Sequence, residues 1–236
     1  MLLIQLLLAH FIGDFVLQPQ KWIQDKEEKK FKSVYLYLHA GLHAFLMLLF
    51  LNFEAKYILP VFFISLSHLV IDGVKLLKPI QNVRYLFFID QFLHLTILYW
   101  FYSGWSLTFN FAPYLTEKHL LFLLAILLLT SVTSIVLKIV FSLWEKDIKE
   151  LQKKDGSLLN AGRYIGMLER LFVFIFIIMD QWEAIGFLLA AKSVFRFGDL
   201  TKASDRKLTE YILIGTFLSF GIAIVIGIVF LKLTQR

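Results

Sequence analysis

Four pairs of residues in the first hundred positions share one spacing and one chemistry: His10-x-x-x-Asp14, His39-x-x-x-His43, His68-x-x-x-Asp72 and Asp90-x-x-x-His94. Residues i and i+4 stand one above the other on a single helix face. Only His119, of the 6 histidines, lies outside these pairs. Each pair falls inside an apolar run, where an ionised side chain near a bilayer centre costs roughly 2.5–3.5 kcal/mol on insertion scales. A lone His–Asp pair in such a setting commonly serves as an interhelical hydrogen bond. Four of them point to a shared use. Imidazole and carboxylate together bind Zn, Mn or Fe, and helical bundles build such centres from facing side chains. Eight donors exceed what one tetrahedral ion takes. They suit two ions about 3.5–4 Å apart, with positions open for water and substrate.

The elements that must carry these pairs follow from composition. The chain has 236 residues, 58% of them hydrophobic and 17% aromatic, with a mean hydropathy of +0.71. This is well above a soluble domain's apolar share. Eight apolar runs predict an all-α, polytopic transmembrane bundle of about eight spans: residues 2–19, 34–52, 56–77, 85–102, 118–144, 164–179, 182–198 and 209–231. The sixth and seventh are separated only by Asp180-Gln181-Trp182, which predicts a tight hairpin or a partly re-entrant pair. Residues 145–163 predict an amphipathic surface helix, and residues 21–33 a polar loop. The first run lacks a basic leader and a small-residue cleavage site, which predicts a retained span.

Lys and Arg alternate between loops: five in 21–33 and five in 145–163, against single lysines at Lys56 and Lys118. Basic loops face the cytoplasm, so both termini are expected outside. With these ends, the four pairs fall at matched depth. His10, His43, His68 and His94 form an inner layer; Asp14, His39, Asp72 and Asp90 form a second layer ~6 Å nearer the cytoplasm at 1.5 Å rise per residue. The division expected is a metal-binding half over 1–105, with a four-helix core, and a second half over 106–236.

The second half places Arg163, Glu169, Arg170, Lys192, Ser193, Arg196, Glu210, Tyr211, Thr216 and Ser219 toward the basic side. Charge pairing, such as Arg196 with Glu210, and snorkelling are one reading. An anion clamp is the other: Arg170, Lys192 and Arg196, with Glu169 and Glu210 beside them, would bind a substrate phosphate or carboxylate. Gly186-x-x-x-Ala190 and Ala223-x-x-x-Gly227 read as helix-packing pairs. Ser67, next to His68, is expected to orient a ligand. The net charge of +6 reflects the basic loops and predicts no nucleic-acid partner. With no cysteine, thiolate metal sites and a Cys nucleophile are excluded. No phosphate loop, GxSxG elbow or dinucleotide fingerprint occurs.

Several segments carry a resemblance. AHFIGDFVLQ, HAGLH, SHLVID and DQFLH, with GRYIGMLERL, AAKSVFRFG and EYILIGT, resemble a bacterial multi-pass inner-membrane family described as a domain of unknown function. More remotely, SHLVID is similar to the S-H-x-x-x-D element of membrane-bound metal-dependent hydrolases. That resemblance implies His68 and Asp72 as metal ligands, with His39 or His43 as the matching ligand from the preceding span. The H-x-x-x-D pattern also looks like zinc-dependent phospholipase C and nuclease sites.

The function expected is a membrane-embedded dinuclear metal-dependent hydrolase in the bacterial inner membrane, its site facing the cytoplasm. The substrate would be an anionic phosphoester, lipid-linked or soluble. The ligands would be His10, Asp14, His39, His43, His68, Asp72, Asp90 and His94, holding two divalent ions, zinc first, with Mn or Fe also served. Asp90 and Asp14 would be the catalytic carboxylates, Asp90 as general base. A proton- or metal-coupled transporter would use the same pairs, as would a membrane di-iron oxidase; metal identity and an access path from both sides would separate them.

Overall fold

The computed structural model describes residues 1–77, 83–105, 116–142, 161–194 and 203–235. Among these, all regular structure is helical. In chain order the α-helices are α1 (Leu2–Phe15), α2 (Gln20–Lys29), α3 (Val34–Phe50), α4 (Ile58–Leu77), α5 (Val83–Trp105), α6 (Glu117–Leu127), α7 (Thr133–Phe141), α8 (Ala161–Ile178), α9 (Trp182–Val194) and α10 (Ala203–Thr234). Short 3-10 turns at Lys30–Lys32 and Ala55–Tyr57 lead into α3 and α4, and a π-helical stretch, Leu128–Val132, joins α6 to α7. The chain divides into two compact units, residues 1–124 and 125–236.

Among the described residues three helices are long and apolar enough to cross a membrane, Ala55–Leu77, Glu117–Phe141 and Glu210–Thr234. The number rises to four if the bent pair Leu2–Phe15 and Gln20–Lys32 is counted as one span. This corrects the expectation of eight. Helix α1 has 14 residues, or about 21 Å at 1.5 Å per residue, short of a hydrocarbon core of about 30 Å. Helices α3 and α9 are also short, at 17 and 13 residues. The Arg84, Asp90, Gln91 and His94 side chains of α5, and Arg163, Glu169 and Arg170 of α8, dilute the apolar character of those two. The stretch 21–33 is not a loop: after Pro19 the chain turns through 78° and forms α2. Pro19 stands at the N-cap in extended backbone, φ −70° and ψ 152°, the φ that its ring imposes. The surface helix expected over 145–163 lies almost wholly outside the described residues, as does Arg196.

In the first unit α1 packs on α3 and α5, and α4 packs on the same two helices, closing a four-helix bundle. Its apolar core, centred on Leu6, Ala9, Met47, Leu51, Val61, Ile64 and Leu98, fills one end. Helix α3 stops at Phe50, where Asn52 and Phe53 take left-handed backbone and the Phe53 amide donates back to Leu48 O at 2.8 Å. This geometry satisfies the last carbonyls of the helix.

In the second unit α8 packs on α9, α10 and the π-helical stretch. Asp180, also left-handed, makes the tight turn between α8 and α9, and its carboxylate accepts from Trp182 Nε1 at 2.9 Å. Gly227 is a packing residue as expected: a Cβ there would stand 2.7 Å from Ile177 Cδ1.

Candidate metal centre

The four short-period pairs each lie on one bundle helix: His10 and Asp14 on α1, His39 and His43 on α3, His68 and Asp72 on α4, Asp90 and His94 on α5. Helical periodicity puts both members of a pair on one face, and the apolar residues around them turn that face inward. Seven of the eight are buried, and the Asp14 side chain is 10% exposed. Four imidazoles, from four helices, form one contiguous group. The His43 and His68 rings lie 3.9 Å apart between centroids, His68 and His94 4.0 Å, His10 and His94 5.4 Å, and His10 and His43 5.6 Å.

Asp14 is the hub on the other side of this layer. Its Oδ1 faces His43 Nε2 at 3.0 Å, His39 Nε2 at 3.1 Å and His68 Nε2 at 3.8 Å. Its Oδ2 lies 3.8 Å from His10 Nε2. Asp72 Oδ2 lies 3.9 Å from His39 Nε2, and Asp90 Oδ1 lies 3.8 Å from His94 Nδ1. Three overlapping sets bring their donor atoms within 4.8 Å of one another: His10, Asp14, His43 and His68; His39, His68 and Asp72; and Asp72, Asp90 and His94.

The donor set is not closed by hydrogen bonds. His68 Nε2, both ring nitrogens of His94, Asp90 Oδ1 and the Nδ1 atoms of His39 and His43 are buried with no hydrogen-bond partner. A buried polar atom left unsatisfied costs about 1–3 kcal/mol. Nitrogen and oxygen donors at this spacing, short of partners, fit divalent transition metals such as zinc.

Four further residues complete the cluster. Gln91 donates through Nε2 to Asp14 Oδ2 at 2.9 Å and to Asp90 Oδ2 at 3.3 Å, and its Oε1 faces His10 Nε2 at 3.3 Å. Gln18 Nε2 lies 3.0 Å from His39 Nε2. Lys26 and Lys75 donate to Asp72 Oδ2 and Asp90 Oδ2, each at 2.9 Å. Gln91 adjoins a ligand in sequence and Gln18 continues the α1 spacing, so both had a signal. Lys26 had none, being one of several lysines in a polar stretch. Ser67 does not touch the cluster; its hydroxyl donates to Ile64 O at 2.7 Å.

The residues expected to clamp an anion lie in the second unit with partners of their own. Buried Arg170 donates to Leu129 O through Nε, to Ser219 Oγ at 3.0 Å through Nη1, and to Ser134 Oγ at 2.7 Å and Thr130 O at 3.5 Å through Nη2. Leu129 and Thr130 belong to the π-helical stretch, where widening of the helix frees carbonyls from their usual helical partners. Lys192 Nζ donates to Glu169 Oε2 at 2.6 Å. Arg163 and Glu210 are exposed.

One protein-family model, for a protein of unknown function (DUF3307), matches residues 2–123. No curated protein and no solved structure matches the chain. The matched residues coincide with the first compact unit, so the whole His/Asp cluster lies within them.

Proposed function

The chain belongs to the DUF3307 family, and we propose that the unit carrying that membership is a membrane-embedded, dinuclear metal-dependent hydrolase acting on an anionic phosphoester. In this reading it is a multi-pass protein of a bacterial inner membrane, with its basic side and the mouth of the site toward the cytoplasm. The observation that supports it is the set of buried, unpartnered donor atoms on His68, His94 and Asp90, beside the Asp14 hub. Hydrogen-bonding pairs alone would have closed on each other. Ligands waiting for cations are left open.

Two divalent ions would supply an activated water and screen the charge of the ester. The chain's residues do the rest. His10, His39, His43, His68 and His94 offer neutral nitrogens, Asp14 and Asp72 offer charge, and Gln91 holds Asp14 and Asp90 in place. Asp90, the carboxylate with a free buried oxygen, takes the proton from the attacking water and returns it to the leaving oxygen.

The test is elemental analysis of protein purified in detergent without chelator, together with His68→Ala and Asp72→Ala and a phosphoester screen. About two Zn or Mn per chain, lost from both variants while helicity by circular dichroism is kept, is the expected result. Resident iron would favour oxidase chemistry. A folded wild-type protein without metal would end the metalloenzyme reading and leave proton or cation transport through the same pairs.

A further inference from the structure

We propose that Lys26 and Lys75 are the anion-binding residues of this site: they occupy Asp72 and Asp90 until cations take over those carboxylates, then turn to hold a phosphate dianion. The inference rests on the dinuclear reading above and assigns its substrate-recognition residues within the first unit.

Helix α2 is polar and exposed, and of its residues only Lys26 is buried. Lysine is almost never buried without a partner, and the partner here is Asp72, a residue with donor atoms in two of the three ligand sets. Lys75, one turn along α4 from Asp72, reaches Asp90. The two ammonium groups therefore flank one pair of carboxylates whose oxygens lie within 4.8 Å of each other. Helix α2 is held over this end of the bundle at several points. Trp22 stacks on Tyr35 at 5.3 Å, Ser33 Oγ donates to Asp25 at 2.6 Å, and the Phe31 ring sits where a Cβ on Gly73 would meet it at 2.7 Å. Gly73 adjoins Asp72, so the cover is anchored beside the carboxylate that its lysine bonds.

Charge balance selects the ligand. Asp14, Asp72 and Asp90 against Lys26 and Lys75 leave one negative charge in the cluster, with the imidazoles neutral. Two divalent cations convert this to three positive charges. One hydroxide and one doubly charged phosphate group balance them; a neutral substrate does not. Once a cation sits on Asp72 or Asp90, the nearby ammonium loses its partner and meets a like charge, most unfavourably at Lys26, whose side chain is 8% exposed against 38% for Lys75. Lysine suits such an exchange, being a point charge on a flexible four-carbon stem.

The phosphate group has two possible sources, a lipid headgroup or a soluble ester, and the experiment separates them. Full-length protein in phosphatidylcholine nanodiscs is loaded with Mn2+, its metal content measured, and inorganic phosphate titrated in by calorimetry. Lys26→Gln and Lys75→Gln should keep the metal and bind phosphate roughly tenfold more weakly, as loss of a charge-assisted hydrogen bond implies. Lys29→Gln, on the exposed side of α2, should match wild type. With phosphatidic acid added to the nanodiscs, weaker apparent phosphate binding supports a lipid headgroup; unchanged binding supports a soluble ester. Metal retained with phosphate affinity unchanged in both variants overturns the clamp alone. Metal lost along with phosphate binding makes the lysines structural and also overturns it. A wild-type protein that takes up no metal overturns the centre and the clamp together.

Discussion

Gly13 lies directly under the imidazole of His43: a Cβ at that position would stand 2.5 Å from Cε1 and 2.6 Å from Nε2. The glycine lets α1 approach α3 closely enough for Asp14, the next residue, to meet His43 Nε2 at 3.0 Å. The ring has nowhere to retreat, with His68 at 3.9 Å and His39 at 4.6 Å between centroids.

Gly13→Ala should therefore separate stability from site geometry. Overpacking costs about 1–3 kcal/mol, and the better helix propensity of alanine returns about 0.8–1.0 kcal/mol. The melting temperature should fall only modestly, while metal content falls sharply because His43 is pushed off Asp14. A variant with full metal content would show that His43 is not a ligand.

Gln91 bridges two carboxylates, and its removal strands Asp14 Oδ2, while Asp90 Oδ2 keeps its bond from Lys75. Gln91→Leu is expected to cost about 1–3 kcal/mol in stability and 10–100-fold in metal affinity, the usual size of an effect on residues that orient ligands. Competition with a chelator of known affinity measures the second quantity. Unchanged affinity would place Asp14 and Asp90 outside the coordination sphere.

Arg170 is expected to act on the second unit only. Arg170→Met takes the guanidinium partner from the buried Leu129 carbonyl and Ser219 hydroxyl, at about 1–3 kcal/mol each, while Ser134 still donates to Thr130 O. Thermal unfolding should shift down while phosphate binding to the metal-loaded protein, below the transition, stays at the wild-type value. Lost phosphate binding with unchanged stability would instead make Arg170 an anion ligand.

The pairs at i and i+4 were legible because helix geometry forces such residues onto one face, whatever the helix packs against. Their burial was legible because the surrounding residues are apolar. The span count was not. The same His and Asp side chains that mark the site also lower the hydropathy of the helices that carry them, and the end of α3 is set by a left-handed pair at Asn52 and Phe53. Arg170 illustrates a different limit. A basic residue on an apolar helix looks the same in sequence whether it faces a ligand or the freed carbonyls of a neighbouring helix.

By itself the sequence determined an all-helical chain and the four faces that carry His and Asp, since both follow from local periodicity. Only the tertiary structure decided which atoms meet. Asp14 became a hub because Gly13 allows close helix approach, and Lys26 joined Asp72 across 46 positions because the chain turns by 78° after α1. Contacts between residues so far apart depend on how the helices pack, and no spacing along the chain encodes them.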